Sequence, residues 1–230
     1  MLVRRGLISL AVVLLAAGCA GEPPTGVPPA PVPHALRWAG SAAPRFIAPQ
    51  PASTRQAKNG LHAFLSGGLS LDHNTVTFWA VRGKERSVQI NYLSSTGQTS
   101  FPFLNLSISD PNYVPGRGWL RWGDSVLITV TVDPSNIAVS LEPSGLRFGD
   151  AARLQIWYGG AGGDLNGDGA VDQTDTAIDS QLLGLWYREG SGSAWTRIPA
   201  SQSLGDRAFI SALRHFCDYE VSFAESAVSW

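Results

Sequence analysis

Residues 126 to 132 read Val126-Leu127-Ile128-Thr129-Val130-Thr131-Val132. Val126, Ile128, Val130 and Val132 fall on one side of an extended chain, and Leu127, Thr129 and Thr131 on the other. This period of two in β-branched residues predicts a strand with one face turned into a core. The same pattern recurs on both sides of it. Upstream, Val76 to Val81 and Val88 to Tyr92 flank the charged turn Arg82-Gly83-Lys84-Glu85-Arg86 and predict a β-hairpin, and Leu104, Leu106 and Ile108 alternate with Asn105 and Ser107. Downstream come Ile137, Val139 and Leu141, then Leu154, Ile156 and Tyr158, then Leu185 and Tyr187. Trp195 to Ile198, Ala208 to Leu213 and Tyr219 to Phe223 complete some nine or ten strands, separated by Gly, Pro and Asx turns. Strands at this spacing, with almost no helical periodicity, predict a mainly β protein built as an antiparallel β-sandwich.

Composition agrees with a folded domain. The 230 residues are 44% hydrophobic and 15% charged, with eight Trp, so a sizeable core is affordable and wholesale disorder is not expected. A formal net charge of −1 excludes nucleic-acid binding through bulk electrostatics. Of the 17 basic residues only Lys58 and Lys84 are lysines.

The first nineteen residues read as an address. Arg4 and Arg5 precede the apolar run Leu7 to Leu15, and small residues follow before Cys19, which is the order of a secretory signal peptide. The run is too short to span a bilayer. Leu15-Ala16-Ala17-Gly18-Cys19 resembles the bacterial lipobox. That resemblance implies cleavage before Cys19, a diacylglycerol on its thiol, and a mature protein held to the cell envelope by acyl chains. With Ala20 next, the outer membrane is the expected location. Cys217 would then have no partner, so no internal disulfide is expected. Residues 20–58, with prolines at 23, 24, 28, 29, 31, 33, 44, 49 and 51, read as a disordered tether, and residues 59–230 as the sandwich.

One stretch breaks the β pattern. After Gly159-Gly160-Ala161-Gly162-Gly163 the chain reads Asp164-Leu165-Asn166-Gly167-Asp168-Gly169-Ala170-Val171-Asp172-Gln173-Thr174-Asp175. Counted from Asp164, oxygen-bearing side chains stand at positions 1, 3, 5, 9 and 12, with glycine at 6. This is the spacing of an EF-hand-type calcium loop with Asp in place of Glu at 12. Ca²⁺ takes six to eight oxygens, and one loop can wrap it with Asp164, Asn166, Asp168, the Ala170 carbonyl, Asp172 and Asp175. Four carboxylates so close together repel one another unless a cation sits among them. The glycines exclude an entering helix, whereas Thr174 to Leu183 predicts an exit helix, so the sandwich carries a calcium-loop insertion over 159–184 with one short helix. Loop followed by helix resembles one repeat of the type I dockerin module, D-x-N-x-D-G-x-V-x-x-x-D, departing from it only in Asp172 at position 9. Dockerins that bind cohesin have two such repeats, and this chain has one.

A second resemblance covers about residues 125 to 223. Val126 to Val132, then Leu141-Glu142-Pro143-Ser144-Gly145-Leu146-Arg147-Phe148, then Ala152 to Ile156, Trp195-Thr196-Arg197-Ile198, and His215-Phe216-Cys217-Asp218-Tyr219 resemble the ZU-five-type β-sandwich of netrin receptors, ankyrins and many bacterial surface proteins. Some members cut themselves between Phe and Ser of an H-F-S motif. The resemblance therefore implies a self-cleavage alternative at Phe216-Cys217, with Cys217 as nucleophile and His215 assisting, beside the plainer expectation that Phe216 and Cys217 are core.

No zinc spacing joins His34, His62, His73 and His215, and there is no nucleophile elbow or phosphate loop. Trp79, Trp119, Trp122, Trp157, Trp186 and Trp195 are candidates for a sugar-stacking platform, although such residues more often pack in cores. The sequence thus reads as a lipid-anchored, calcium-binding surface module of the bacterial envelope with a structural or ligand-binding role and no catalytic chemistry. Its partners would be the membrane through Cys19 and a glycan or another surface protein. The alternatives are a carbohydrate-associated or dockerin-like interaction module and the self-cleaving domain.

Overall fold

The computed structural model describes residues 32–40, 43–48, 69–94 and 97–224, all within one compact unit, Pro31–Trp230. Cys19, the signal segment and His62 lie outside the described residues, as does most of the expected tether.

Two antiparallel sheets stack on each other. The first runs β13 (Thr196–Ile198), β12 (Leu183–Arg188), β16 (Asp218–Phe223), β10 (Ala138–Glu142), β9 (Ser125–Val132), β4 (Thr75–Val81), with β1 (His34–Ala35) also paired to β16. The second runs β14 (Ser201–Ser203), β15 (Ala208–His215), β11 (Arg147–Trp157), β6 (Ser100–Ile108), β5 (Arg86–Leu93), β2 (Phe46–Ala48), β3 (Leu69–Ser70). A short ribbon of β7 (Pro111–Val114) and β8 (Gly118–Trp119) joins it where β7 pairs β11. The sandwich expected from the period-2 pattern is therefore the fold.

Alternation accounts for the packing. Val126, Ile128, Val130 and Val132 point inward from β9 and meet Ile90, Leu106, Leu154 and Ile156 of the other sheet in one core. β6 departs from strict alternation, since Phe103 and Leu104 are both buried. The register against β5 shifts between Ile90 and Asn91, leaving Phe103 as the extra residue of a bulge, so two consecutive side chains turn inward.

The strands expected from sequence are all present, and among the described residues six more accompany them. The additional ones, β1, β2, β3, β7, β8 and β14, have two to four residues each, too few to show a period. Two of them correct the expected boundary at residue 58. β1 and β2 lie inside the proline-rich stretch, yet Leu36, Trp38, Phe46 and Ile47 are buried. Trp38 packs against Phe46, Tyr92 and Phe103 at centroid distances of 5.2, 5.4 and 4.9 Å, and its Nε1 donates to the Asp133 carbonyl at 3.0 Å. Four large apolar side chains outweigh the prolines' preference for extended, solvated chain.

Trp38→Ala should cost about 3 to 5 kcal/mol of unfolding free energy, the usual range for a buried Trp. Urea denaturation followed by circular dichroism reads this directly, and a loss below about 0.5 kcal/mol would return residues 33–48 to the tether.

Candidate functional site

The chain leaves β11 at Trp157 in the second sheet and re-enters the first sheet at Leu183, so the loop between them crosses one end of the sandwich. It begins with a single 3-10 turn, Gly159–Ala161, and ends in α1 (Gln173–Ala177) followed by a π-helical turn, Ile178–Leu182. The expected exit helix is thus helical over its expected span, although its second half is wound more loosely. Gly160 is required where it stands: a Cβ there would fall 2.4 Å from Cζ3 of Trp38.

Within the loop the acidic side chains are organised by backbone N–H groups. Asp164 Oδ1 accepts from the Gly167 amide at 2.7 Å and its Oδ2 from the Gly169 amide at 2.9 Å. Asn166 Oδ1 accepts from the Asp168 amide, while its Nδ2 donates to Asp168 Oδ2 at 2.8 Å. Asp168 Oδ1 in turn accepts from the Ala170 amide at 2.9 Å. Asp172 caps α1 through the Thr174 amide, and Asp175 returns the bond by accepting from the Asp172 amide at 2.9 Å, a reciprocal capping box.

Asp175 closes the ring. Its Oδ1 accepts from the Leu165 amide at 2.6 Å and from the Asn166 amide at 3.3 Å, so the twelfth position is drawn back to the second and third. It is only 3% exposed. The Asp172 amide first, and then the Leu165 amide, hold its carboxyl below the usual carboxylate range, so it stays ionised at neutral pH. Asp164, Asn166, Asp168, Ala170, Asp172 and Asp175 are thereby gathered in one closed turn. No three His, Cys, Asp or Glu side chains meet in a metal-holding group among the described residues. In the described loop, Asp164, Asp168, Asp172 and Asp175 all accept from amide N–H groups.

Both ends of the loop are fastened to the sandwich by a polar cluster. Tyr158 donates to Asp179 Oδ1 at 2.8 Å, and Gln202 Nε2 donates to the Tyr158 hydroxyl at 2.8 Å and to the Asp179 carbonyl at 2.7 Å. Arg207 lies over the Tyr158 ring at 5.2 Å and donates from Nη1 to the Gly162 carbonyl at 2.7 Å. Burial pushes the Tyr158 phenol up to about 12. Four residues from separate segments make this clamp, and no spacing in the sequence marks it. The entering turn also forms, with residues 33–40 and the loop segment 164–167, the wall of a cavity of about 750 Å³.

The residues His215, Phe216 and Cys217 lie at the turn between β15 and β16. Phe216 is fully buried, its N–H donates to the Leu146 carbonyl, and its carbonyl accepts from the Gly145 amide at 2.8 Å. Cys217 is a free, buried thiol beside the Tyr219 hydroxyl, and burial pushes it up to about 12. His215 Nε2 lies 2.9 Å from Glu189 Oε1, off the direction a hydrogen bond needs, and His215 is not among the groups acting on the thiol. A nucleophile would be the thiolate.

Among the candidate platform residues, Trp79, Trp119 and Trp122 are 58%, 72% and 70% exposed, whereas Trp186 is buried and Trp157 and Trp195 are half-buried. Comparison with family models, with curated proteins and with solved structures finds no match for this chain.

Because the Cys217 thiol ionises at about 12 when folded and about 9 when exposed, folded stability should fall as pH rises between those values. Below the lower value both forms are neutral and the group contributes no pH dependence. At about pH 8 iodoacetamide should leave the native Cys217 thiol untouched and modify it in guanidinium, and intact mass should show no loss of residues 217–230.

Proposed function

We propose that this chain is a lipid-anchored, calcium-stabilised β-sandwich module of the bacterial cell envelope, with a structural or ligand-binding role. The observation that carries it is the ring closure by Asp175, which returns the last carboxylate of the loop to the backbone beside Asp164. The donor chemistry fits a hard dication: the loop offers carboxylate, amide and carbonyl oxygens, and residues 164–175 contain no basic side chain. Asp164, Asn166, Asp168, the Ala170 carbonyl, Asp172 and Asp175 would hold it. Each carboxylate oxygen has two lone pairs, so an amide bond leaves capacity for a metal.

The ion would supply no chemistry to a substrate. It would neutralise four carboxylates within twelve residues and stiffen a connection that bridges the two sheets. Asp175 with a short side chain, in a single loop, supports the weak affinity of extracellular calcium modules, about 10⁻⁴ to 10⁻³ M. The Cys19 anchor rests on the lipobox resemblance and the preceding apolar run.

At a calcium concentration well above that range the melting temperature should rise by several degrees, corresponding to about 1 to 3 kcal/mol of metal linkage. Asp164→Ala should abolish the rise while magnesium fails to reproduce it. An unchanged melting curve for the wild-type chain would remove calcium from the proposal. Independently, palmitate labelling in a bacterial host should mark the wild-type chain and vanish in Cys19→Ser.

A further inference from the structure

The exposed tryptophans Trp119 and Trp122 lie at the end of the sandwich away from the calcium loop. β11 begins at Arg147 and ends at Trp157, where the loop departs; because it bulges between Arg147 and Ala152 it runs beside only the eight residues Ala208–His215 of β15, a span of about 23 Å. At its starting end, Arg147 lies over the Tyr113 ring at 5.5 Å, and Tyr113 meets Trp119 edge-on at 5.3 Å. Trp122 belongs to the same end: the Arg82 guanidinium sits 5.0 Å from its ring and also donates to the Leu120 carbonyl.

These rings are held, not loose. A Cβ on Gly83, whose φ is +83°, would lie 2.2 Å from Cε3 of Trp122, so the indole rests against the glycine backbone. Arg82 is fixed in turn by Asp110 at 2.7 Å. Two aromatic side chains are thus braced on one side while some 70% of each stays in water, an arrangement that forgoes burial.

The charge around them is equally uneven. Residues 82–86, 110–124 and 147–150 carry six Arg or Lys against four Asp or Glu, in a chain whose net charge is −1. Arg82 and Asp110 neutralise each other, which leaves five basic groups against three acidic ones, and Asp124 is held by the Arg121 amide at 2.8 Å. The Arg121 guanidinium is exposed and makes no hydrogen bond or ion pair among the described residues.

We infer that this end is a binding site for an acidic polysaccharide, one whose sugars bear carboxylates. A pyranose ring presents a face of C–H groups that stacks on an indole, and arginine pairs with carboxylates in a planar fork. The charge complementarity favours an anionic chain over a neutral one. The site is independent of the calcium reading, because it stands at the other end of β11.

The test is affinity electrophoresis of the full chain through gels containing polygalacturonate, with neutral dextran as the comparison and EDTA present so that no calcium bridges protein and polymer. Polygalacturonate should retard the wild-type chain and dextran should not, and raising NaCl about fivefold should weaken the retardation. Trp119→Ala and Arg121→Glu should each weaken binding about tenfold with an unchanged melting temperature. Arg121→Glu replaces an exposed, unpaired group, so its effect cannot be loss of fold. No retardation by polygalacturonate, equal retardation by dextran, or wild-type binding in both variants would each overturn the inference.

Discussion

The rest of the structure depends on β16 sitting in the interior of its sheet. It pairs with β12 along six residues on one side and with β10 and then β1 on the other. Five of its six residues are buried, so both of its faces are covered and not only the core face. The outward residues Glu220 and Ser222 hydrogen-bond each other, and Trp186, directly opposite Glu220, donates from Nε1 to the Ser222 carbonyl at 3.1 Å. Burial raises the Glu220 carboxyl above its ordinary value, and Arg188 and Ser222 partly offset this. Because β12 follows the Asp164–Asp175 loop, β16 cannot be flanked until that loop has delivered β12 across the sandwich. Pairings at such sequence separation are entropically costly to form, and a rigid connection between the sheets reduces that cost.

This explains why the loop is fastened so thoroughly. Tyr158 just after β11, Gln202 on β14 and Arg207 beyond it converge on Asp179 and Gly162, one contact on each limb of the loop. Arg207 adopts φ +49° to do so, and its carbonyl accepts from the Tyr158 amide at 2.8 Å. The loop's internal hydrogen bonds set the positions of its oxygens, while the clamp sets the position of the loop. Trp38 packed on Gly160 extends the same anchoring to the segment between β1 and β2.

What could be read in the sequence follows from the range of each interaction. Alternation in β9 and the hairpin around Arg82 to Arg86 is local, and so is the Asp164 to Asp175 spacing, which depends on one turn closing on itself. The two-residue strand His34–Ala35 has no local pattern. It exists because Leu36 donates to the Val221 carbonyl and Ile137 to the Leu36 carbonyl, partners about 185 and 100 residues away. The H-F-C triplet gave the opposite difficulty. Its residues resemble the H-F-S motif with Cys in place of Ser, and the burial that raises the thiol comes from packing that no local pattern shows, of Phe216 against Phe148 at 5.0 Å and of Cys217 beside Tyr219.

Net charge was the least informative number in the composition, because the fold separates what the sum cancels. Four carboxylates gather in the loop after Trp157, and six basic residues against four acids gather around Arg147, at the two ends of one strand. Such a dipolar surface orients the chain in an external field more effectively than its overall −1 suggests. The tryptophans obey the same logic. Eight of them look like core material by composition, yet the side chains that most need cover, Trp119 and Trp122, stand where arginines are concentrated. An exposed aromatic beside an unpaired guanidinium is poorly matched to another protein's apolar core, which would have to desolvate the charge. It is well matched to a ligand that is itself wet, with an apolar face and an anionic edge.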